Sequence, residues 1–437
     1  MTGQYLESAD QYPVDFGEFV RRAGGSGRLV VQPRMGFGDS VKMREGLLAT
    51  KAANATTVGT ITLDSYTRLG ELGAVEAALR AGSDLNGYPL VSHPMATTGR
   101  LLSGVRDSGF PVQVRHGSAT PIDIFRALVR LRLNATEGGP VSYCLPYGRT
   151  PLAEAVRNWK ACCELFVRLR DMGAEPHLET FGGCMMGQLC PPGQLVAISV
   201  LEALFFAQHG IRSLSLSYAQ QTSTEQDREA VAALRRLSAE LLPTDNWHVV
   251  IYAYMGVYPQ SFRGAHRLLE QAAELAVTTR SERLIVKTVS EARRIPTVAE
   301  NVLALEYAGR TATRTHHEPG PDLLHDSRTY VEARALAEAV LDLDDDVGQA
   351  LTAAFRRGYL DIPYCLHPDN AGATRSYIDS EGRLQWADTG ALPLGAAVEK
   401  GGARSVTSAG LLADLFYMRG KYDEPSNDVN ELVVGAD

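Results

Sequence analysis

Short β-branched runs alternate along the chain with longer stretches in which apolar residues recur every third or fourth position. The runs predict strands over residues 29–33, 57–63, 111–115, 140–144, 176–181, 213–218, 247–254 and 283–288. Between strands, PIDIFRALVRLRL places Ile122, Phe125, Leu128 and Val129 on one helical face. PLAEAVRNWKACCELFVRLRDMG opens at Pro151 and closes at Gly173, the expected start and stop chemistry of a helix. Alternation of this kind calls for a parallel sheet with helical crossovers. About eight units predict an α/β fold, a (β/α)8 TIM barrel. A doubly wound open sheet is the second choice, and NGYPLVSHP at 86–94 would add a ninth strand.

The barrel is expected over residues 29–310. Before it, residues 1–28 form an N-terminal helical lead, with a helix in FGEFVRRAG and a linker in GGSG at 24–27. After it, residues 311–437 form a C-terminal α+β extension. Its helical stretch from Asp326 to Gly358 breaks near LDLDDDVG, where Asp344, Asp345 and Asp346 read as a solvated bend.

The 437 residues carry a net charge of −8, which argues against non-specific nucleic-acid or membrane binding. The start has neither a basic n-region nor an apolar h-region, and no run nears the roughly 18 apolar residues of a span. Six scattered cysteines fit a reducing compartment, so a cytoplasmic location is expected. CMMGQLC at 184–190 and Cys162–Cys163 lack zinc-site spacing, and His316–His317 reads as an exposed loop, so no metal site is expected within the chain.

Charged residues at strand ends change the picture. Arg34, Arg68 and Arg115 each close an apolar run, in LVVQPR, TITLDSYTR and FPVQVRH. Arginine is costly to bury and keeps its charge, so three at strand ends call for an anionic ligand. A fourth run ends in Glu137 and a later one in Lys287. Glu137, Tyr143 and Tyr147 bracket a strand that ends in Pro146, within EGGPVSYCLPYGR. Three guanidinium groups and one carboxylate suit a zwitterionic amino diacid: forks grip its carboxylates and Glu137 takes its ammonium. RMGFGDSV lacks the third glycine of a dinucleotide fingerprint, so Gly36 and Gly38 are read as letting the backbone approach some ligand.

The ordered segments QPRMGFG, LDSYTR, LNGYP, VRHG, EGGPVSYCLPY, YMGVYPQ, IVKTVSEARRIPT and LDIPY, over residues 28–372, resemble the catalytic (epsilon) subunit of adenosylcobalamin-dependent glutamate mutase, also called methylaspartate mutase. The resemblance implies a (β/α)8 barrel whose mouth is covered by the coenzyme. It implies interconversion of L-glutamate and (2S,3S)-3-methylaspartate by radical fragmentation to glycyl radical and acrylate, then recombination. By resemblance, Arg34, Arg68, Arg115, His116, Glu137, Tyr143 and Tyr147 hold the substrate. Gly36, Asn86, Pro146, Tyr258, Lys287, Glu291 and Ile295 contact adenosylcobalamin, and Glu137, Lys287 and Glu291 serve the chemistry. No D-x-H-x-x-G occurs in the chain. The resemblance therefore implies a separate small cobalamin-binding subunit that supplies the cobalt-ligating histidine, paired with a homodimer of this chain. Departures from the family pattern include Pro140, Cys144 and Tyr252, the last standing where a histidine is common. Alternatives are a same-family mutase for another amino diacid, a non-catalytic partner homologue, and an aldolase forming a Schiff base on Lys287.

Overall fold

The structure is a computed structural model that describes residues 14–146, 148–182, 189–316, 326–395 and 406–423. Its first half runs α1 (Phe16–Gly25), β1 (Val30–Gln32), α2 (Ser40–Ala52), β2 (Gly59–Thr62), α3 (Ser65–Leu69), α4 (Leu72–Arg80), α5 (Met95–Leu102), β3 (Val112–Arg115) and α6 (Ile122–Arg130). Then follow β4 (Ala135–Gly138), α7 (Leu152–Val167), β5 (His177–Thr180), α8 (Pro192–Gln208), β6 (Ser213–Ala219), α9 (Thr224–Leu241), β7 (Trp247–Tyr252), α10 (Phe262–Thr278), β8 (Arg283–Ile285) and α11 (Val298–Arg314). The remainder comprises α12 (Arg328–Leu341), α13 (Val347–Arg357), β9 (Arg375–Ile378), β10 (Leu384–Asp388) and α14 (Ser408–Asp423).

β1 to β8 pair in parallel in the order β1-β8-β7-β6-β5-β4-β3-β2. One parallel bridge, Val31 with Thr57, joins β1 to the segment entering β2 and completes the (β/α)8 barrel. β9 and β10 form a separate antiparallel pair beyond it. The expected ninth strand is absent: within 86–94, Tyr88 makes a single bridge to Leu63. Pro89 has no N–H to extend that ladder.

The expected strand over 140–144 is also corrected. The fourth strand is Ala135–Gly138, so Glu137 lies in it, and residues 140–146 form turns. Gly138 has φ +131°, a conformation few side chains adopt, and Pro140 follows two residues later. Chain reversal there is a matter of backbone chemistry.

The N-terminal helix plugs the barrel. Phe16, Val20 and Ala23 of α1 pack on Val30, Val58 and Ala135, which lie at or just before strand starts. A Cβ on Gly17 would come within 2.3 Å of the Ser213 hydroxyl, so glycine lets α1 sit directly on the strand ends. The opposite, C-terminal end is left as the mouth. Asp346 caps α13 through the Gln349 N–H, which gives the aspartate run a structural role at its last member.

Candidate active site

β1, β2 and β3 deliver three arginines to the mouth. Arg34 lies two residues past β1, and Arg115 ends β3. Arg68 is not at a strand end but on α3, a helix capped by buried Asp64 through the Thr67 N–H (2.9 Å) and hydroxyl (2.5 Å). The Arg68 stem crosses Gly117, where a Cβ would meet its Cδ at 3.0 Å. That crossing brings Arg68 over the loop that follows Arg115.

Two clusters result. In the first, Arg115 Nε donates to Glu137 Oε2 at 2.7 Å, with both side chains almost wholly buried. The Tyr143 hydroxyl donates to Glu137 Oε1. The Tyr252 hydroxyl lies between Glu137 and Glu179, 2.8 Å from Glu137 Oε2. A carboxylate offers about four acceptor directions. Among the described residues Oε1 accepts from Tyr143 alone, while Oε2 takes Arg115 and shares the single Tyr252 proton with Glu179, so Oε1 keeps room for one more donor. The Arg115 guanidinium also stands over the Tyr252 ring at 5.1 Å and the Phe181 ring at 5.7 Å.

In the second cluster, Glu291 is used on both oxygens. Oε1 accepts from the Thr288 N–H at 3.2 Å in a capping box. Oε2 meets Arg34 Nη1 at 3.0 Å and Lys287 Nζ at 4.0 Å. Lys287 also lies 4.6 Å from the Tyr258 ring centre. Burial, with Glu291 nearby, pushes the Tyr258 phenol pKa well up, so the ring stays neutral. Among the described residues the mouth thus brings four cations, Arg34, Arg68, Arg115 and Lys287, against the carboxylates of Glu137 and Glu291 and the capping Asp64.

His116 points into the aromatic wall behind the mouth. Its ring stacks on Trp159 at 5.8 Å and meets Tyr143 edge-on at 5.2 Å. Burial, together with the adjacent Arg115 charge, pushes its pKa down to about 3, so it is neutral. Nδ1 accepts from the Ser118 N–H, which leaves the ring proton on Nε2.

The other sequence-predicted positions lie around the rim. Asn86 is exposed, with Oδ1 accepting from the Ser65 N–H at 3.0 Å. Ile295 is 57% exposed and Pro146 is half-buried. At Gly36 a Cβ would lie 2.2 Å from the Thr62 carbonyl, so its bareness serves contact with β2. Gly38 meets Leu85 in the same way. Tyr147, Cys184 and His317 lie outside the described residues. Among the described residues, no group of three His, Cys, Asp or Glu could hold a metal ion.

Sequence reading missed the residues beneath. Glu179 bonds Arg283 at the barrel centre, and burial opposes its charge while Arg283 holds its pKa down. The alternation His177–Glu179 in β5 and His248–Tyr252 in β7 marked inward faces. Only packing gives them partners.

A family model, "Methylaspartate mutase E chain (MutE)", matches residues 13–411. The chain belongs to the methylaspartate mutase E chain family. A "Glutamate mutase epsilon subunit" of Haloarcula marismortui is 31% identical over 396 residues, spanning 87% of this chain and 76% of that protein. The protein of that name from Escherichia coli O157:H7 is 28% identical over 389 residues, spanning 85% and 80%. That from Halobacterium salinarum is 31% identical over 346 residues, spanning 76% and 71%. As a member of this family, the chain is of the mutase, isomerase type, and these relatives are named as subunits. No helix among the described residues is long and apolar enough to cross a membrane.

Proposed function

We propose that this chain is the substrate-holding catalytic component of a coenzyme B12-dependent carbon-skeleton mutase that interconverts L-glutamate and (2S,3S)-3-methylaspartate. The observation that carries the reading is the Arg115–Glu137–Tyr143 cluster, whose carboxylate keeps an acceptor direction on Oε1 open among the described residues, beside a buried guanidinium. Arg115 spends Nε on Glu137, and its end-on fork suits one substrate carboxylate. Arg68 and Arg34 suit the second, and the open direction on Glu137 suits the ammonium. Four cations against the carboxylates of Glu137, Glu291 and the capping Asp64 leave the mouth attractive to a ligand of net negative charge.

Adenosylcobalamin fits the second cluster by chemistry. Lys287 and Glu291 offer a donor and an acceptor beside the neutral Tyr258 ring, with exposed Asn86 and Ile295 on the rim. When bound, the coenzyme supplies the radical that starts the rearrangement. This chain's residues hold both carboxylates through bond breaking and re-formation, and the aromatic wall of His116, Phe125, Tyr143 and Trp159 keeps water from that side. The cobalt-ligating histidine would come from a small cobalamin-binding subunit carrying D-x-H-x-x-G, since that motif is absent from this sequence.

The test mixes this chain with such a subunit and adenosylcobalamin and follows L-glutamate and 3-methylaspartate by NMR. Interconversion is expected only with all components present. No turnover of either diacid by a folded, assembled complex overturns the reading. Borohydride trapping with carbonyl substrates supplies a control, and an adduct on Lys287 would favour the aldolase instead.

A further inference from the structure

The turns after β4 are held from outside the barrel. Glu202, on α8, is fully buried. Its Oε1 accepts from the backbone N–H groups of Val141 and Ser142, each at 2.9 Å, and from the Ser142 hydroxyl at 3.1 Å. Its Oε2 is buried without a partner among the described residues. Gly139 makes the approach possible, since a Cβ there would lie 2.1 Å from Oε1. A buried carboxylate is costly, and among the described residues no cation repays this one. A solvent-facing loop would have no need of it. The loop it grips carries Tyr143, whose hydroxyl donates to Glu137.

We infer that Glu202 is a positioning residue for the mouth: it clasps residues 141–142 to α8 and so sets Tyr143 against Glu137. The inference deepens the proposed function and rests on it for the consequence in substrate binding. The clasp itself stands on geometry alone. Glu202 touches no reacting group; it acts through the loop.

The experiment uses the full chain labelled with 13Cζ-tyrosine, with the Tyr143 resonance assigned from Tyr143→Phe, and the reconstituted complex assayed in parallel. Glu202→Met fills the same space but accepts no hydrogen bond. It is expected to shift the Tyr143 resonance and raise KM for L-glutamate about tenfold, with kcat changed less than about threefold. Glu202→Gln retains Oε1 as acceptor and is expected to restore the resonance and bring KM within about threefold of wild type. A Glu202→Met resonance that stays in place, or one that moves without any change in KM, overturns the inference. Where Glu202→Met does not fold, Ser142→Ala deletes one of the three donors and must move the resonance the same way by a smaller amount; no movement overturns the inference. A wild-type complex that turns over neither diacid counts against the proposed function alone, and the resonance then decides the clasp.

Discussion

The barrel contains two buried arginine–glutamate pairs whose carboxylates, Glu137 and Glu179, sit in register on neighbouring strands, and they are built for opposite purposes. At the centre, Arg283 bonds Glu179 and Gln32, and adds Ser215 (3.1 Å), Gln113 (3.4 Å) and His248 (3.4 Å). Every nitrogen of that guanidinium is engaged. Near the mouth, Arg115 gives Nε to Glu137 and faces aromatic rings. The central pair replaces the branched aliphatic layers that usually fill such barrels. It is saturated, sealed below by α1, and structural. The mouth pair keeps donors in reserve. Burial and charge alone therefore do not separate the two pairs; the hydrogen-bonding capacity left to a ligand does.

Breaking the centre should have the largest effect. Arg283→Met strands the Glu179 carboxylate in the barrel and is expected to cost about 3–5 kcal/mol of stability. Urea unfolding at neutral pH reads it, and a loss under about 1 kcal/mol would refute the saturated-core view. A third buried acid sharpens the contrast. Glu202 has no cation among the described residues, and burial pushes its pKa from 4.5 up to about 7. The folded state thus holds this proton more tightly than the unfolded chain does. Its stabilising contribution is complete below pH 4.5 and declines as pH rises through about 7, by at most about 3 kcal/mol. Glu202→Gln removes that slope. Its stability relative to wild type should therefore improve between pH 5 and pH 8, and a constant gap would contradict the assignment.

At the mouth the expected loss is functional. Arg115→Lys keeps a charge beside Glu137 but loses the planar fork, so kcat/KM should fall about 100-fold, or about 2.7 kcal/mol. The melting temperature should move far less than for Arg283→Met. Similar melting losses in the two variants would erase the distinction between the pairs.

The fold was largely legible because its strands carry a plain period and its helices begin and end at Pro, Gly, Ser and Asp. The strand near 140–144 was misplaced because VSYCL has strand-like composition, while Gly138, Gly139 and Pro140 turn the chain. Three mouth arginines could be read from their positions after apolar runs. Arg283 and Glu179 could not, because each sits inside a short strand and owes its partner to the opposite wall. Glu202 was hidden in the nearly all-apolar helix α8, where only three-dimensional contact reveals the loop it holds. Arg34 was legible as a cation, but its commitment to Glu291 lies 257 residues away in sequence.

Tyr252 is where the two regions meet, and it supplies the finest test. Its hydroxyl stands between Glu137 of the mouth and Glu179 of the centre, yet it has one proton to give. Tyr252→Phe removes that link while keeping the ring under Arg115, so a stability loss of about 1 kcal/mol and a fall in kcat/KM of at most about tenfold are expected. The sharper measurement is a double-mutant cycle pairing Tyr252→Phe with Arg283→Lys. Arg283 does not contact Glu137 among the described interactions, so coupling in substrate affinity beyond about 0.5 kcal/mol would have to pass through the Glu179–Tyr252 contact. Additive effects would mean that the saturated core and the reserving mouth are energetically separate, with the hydroxyl serving only to fill space between them.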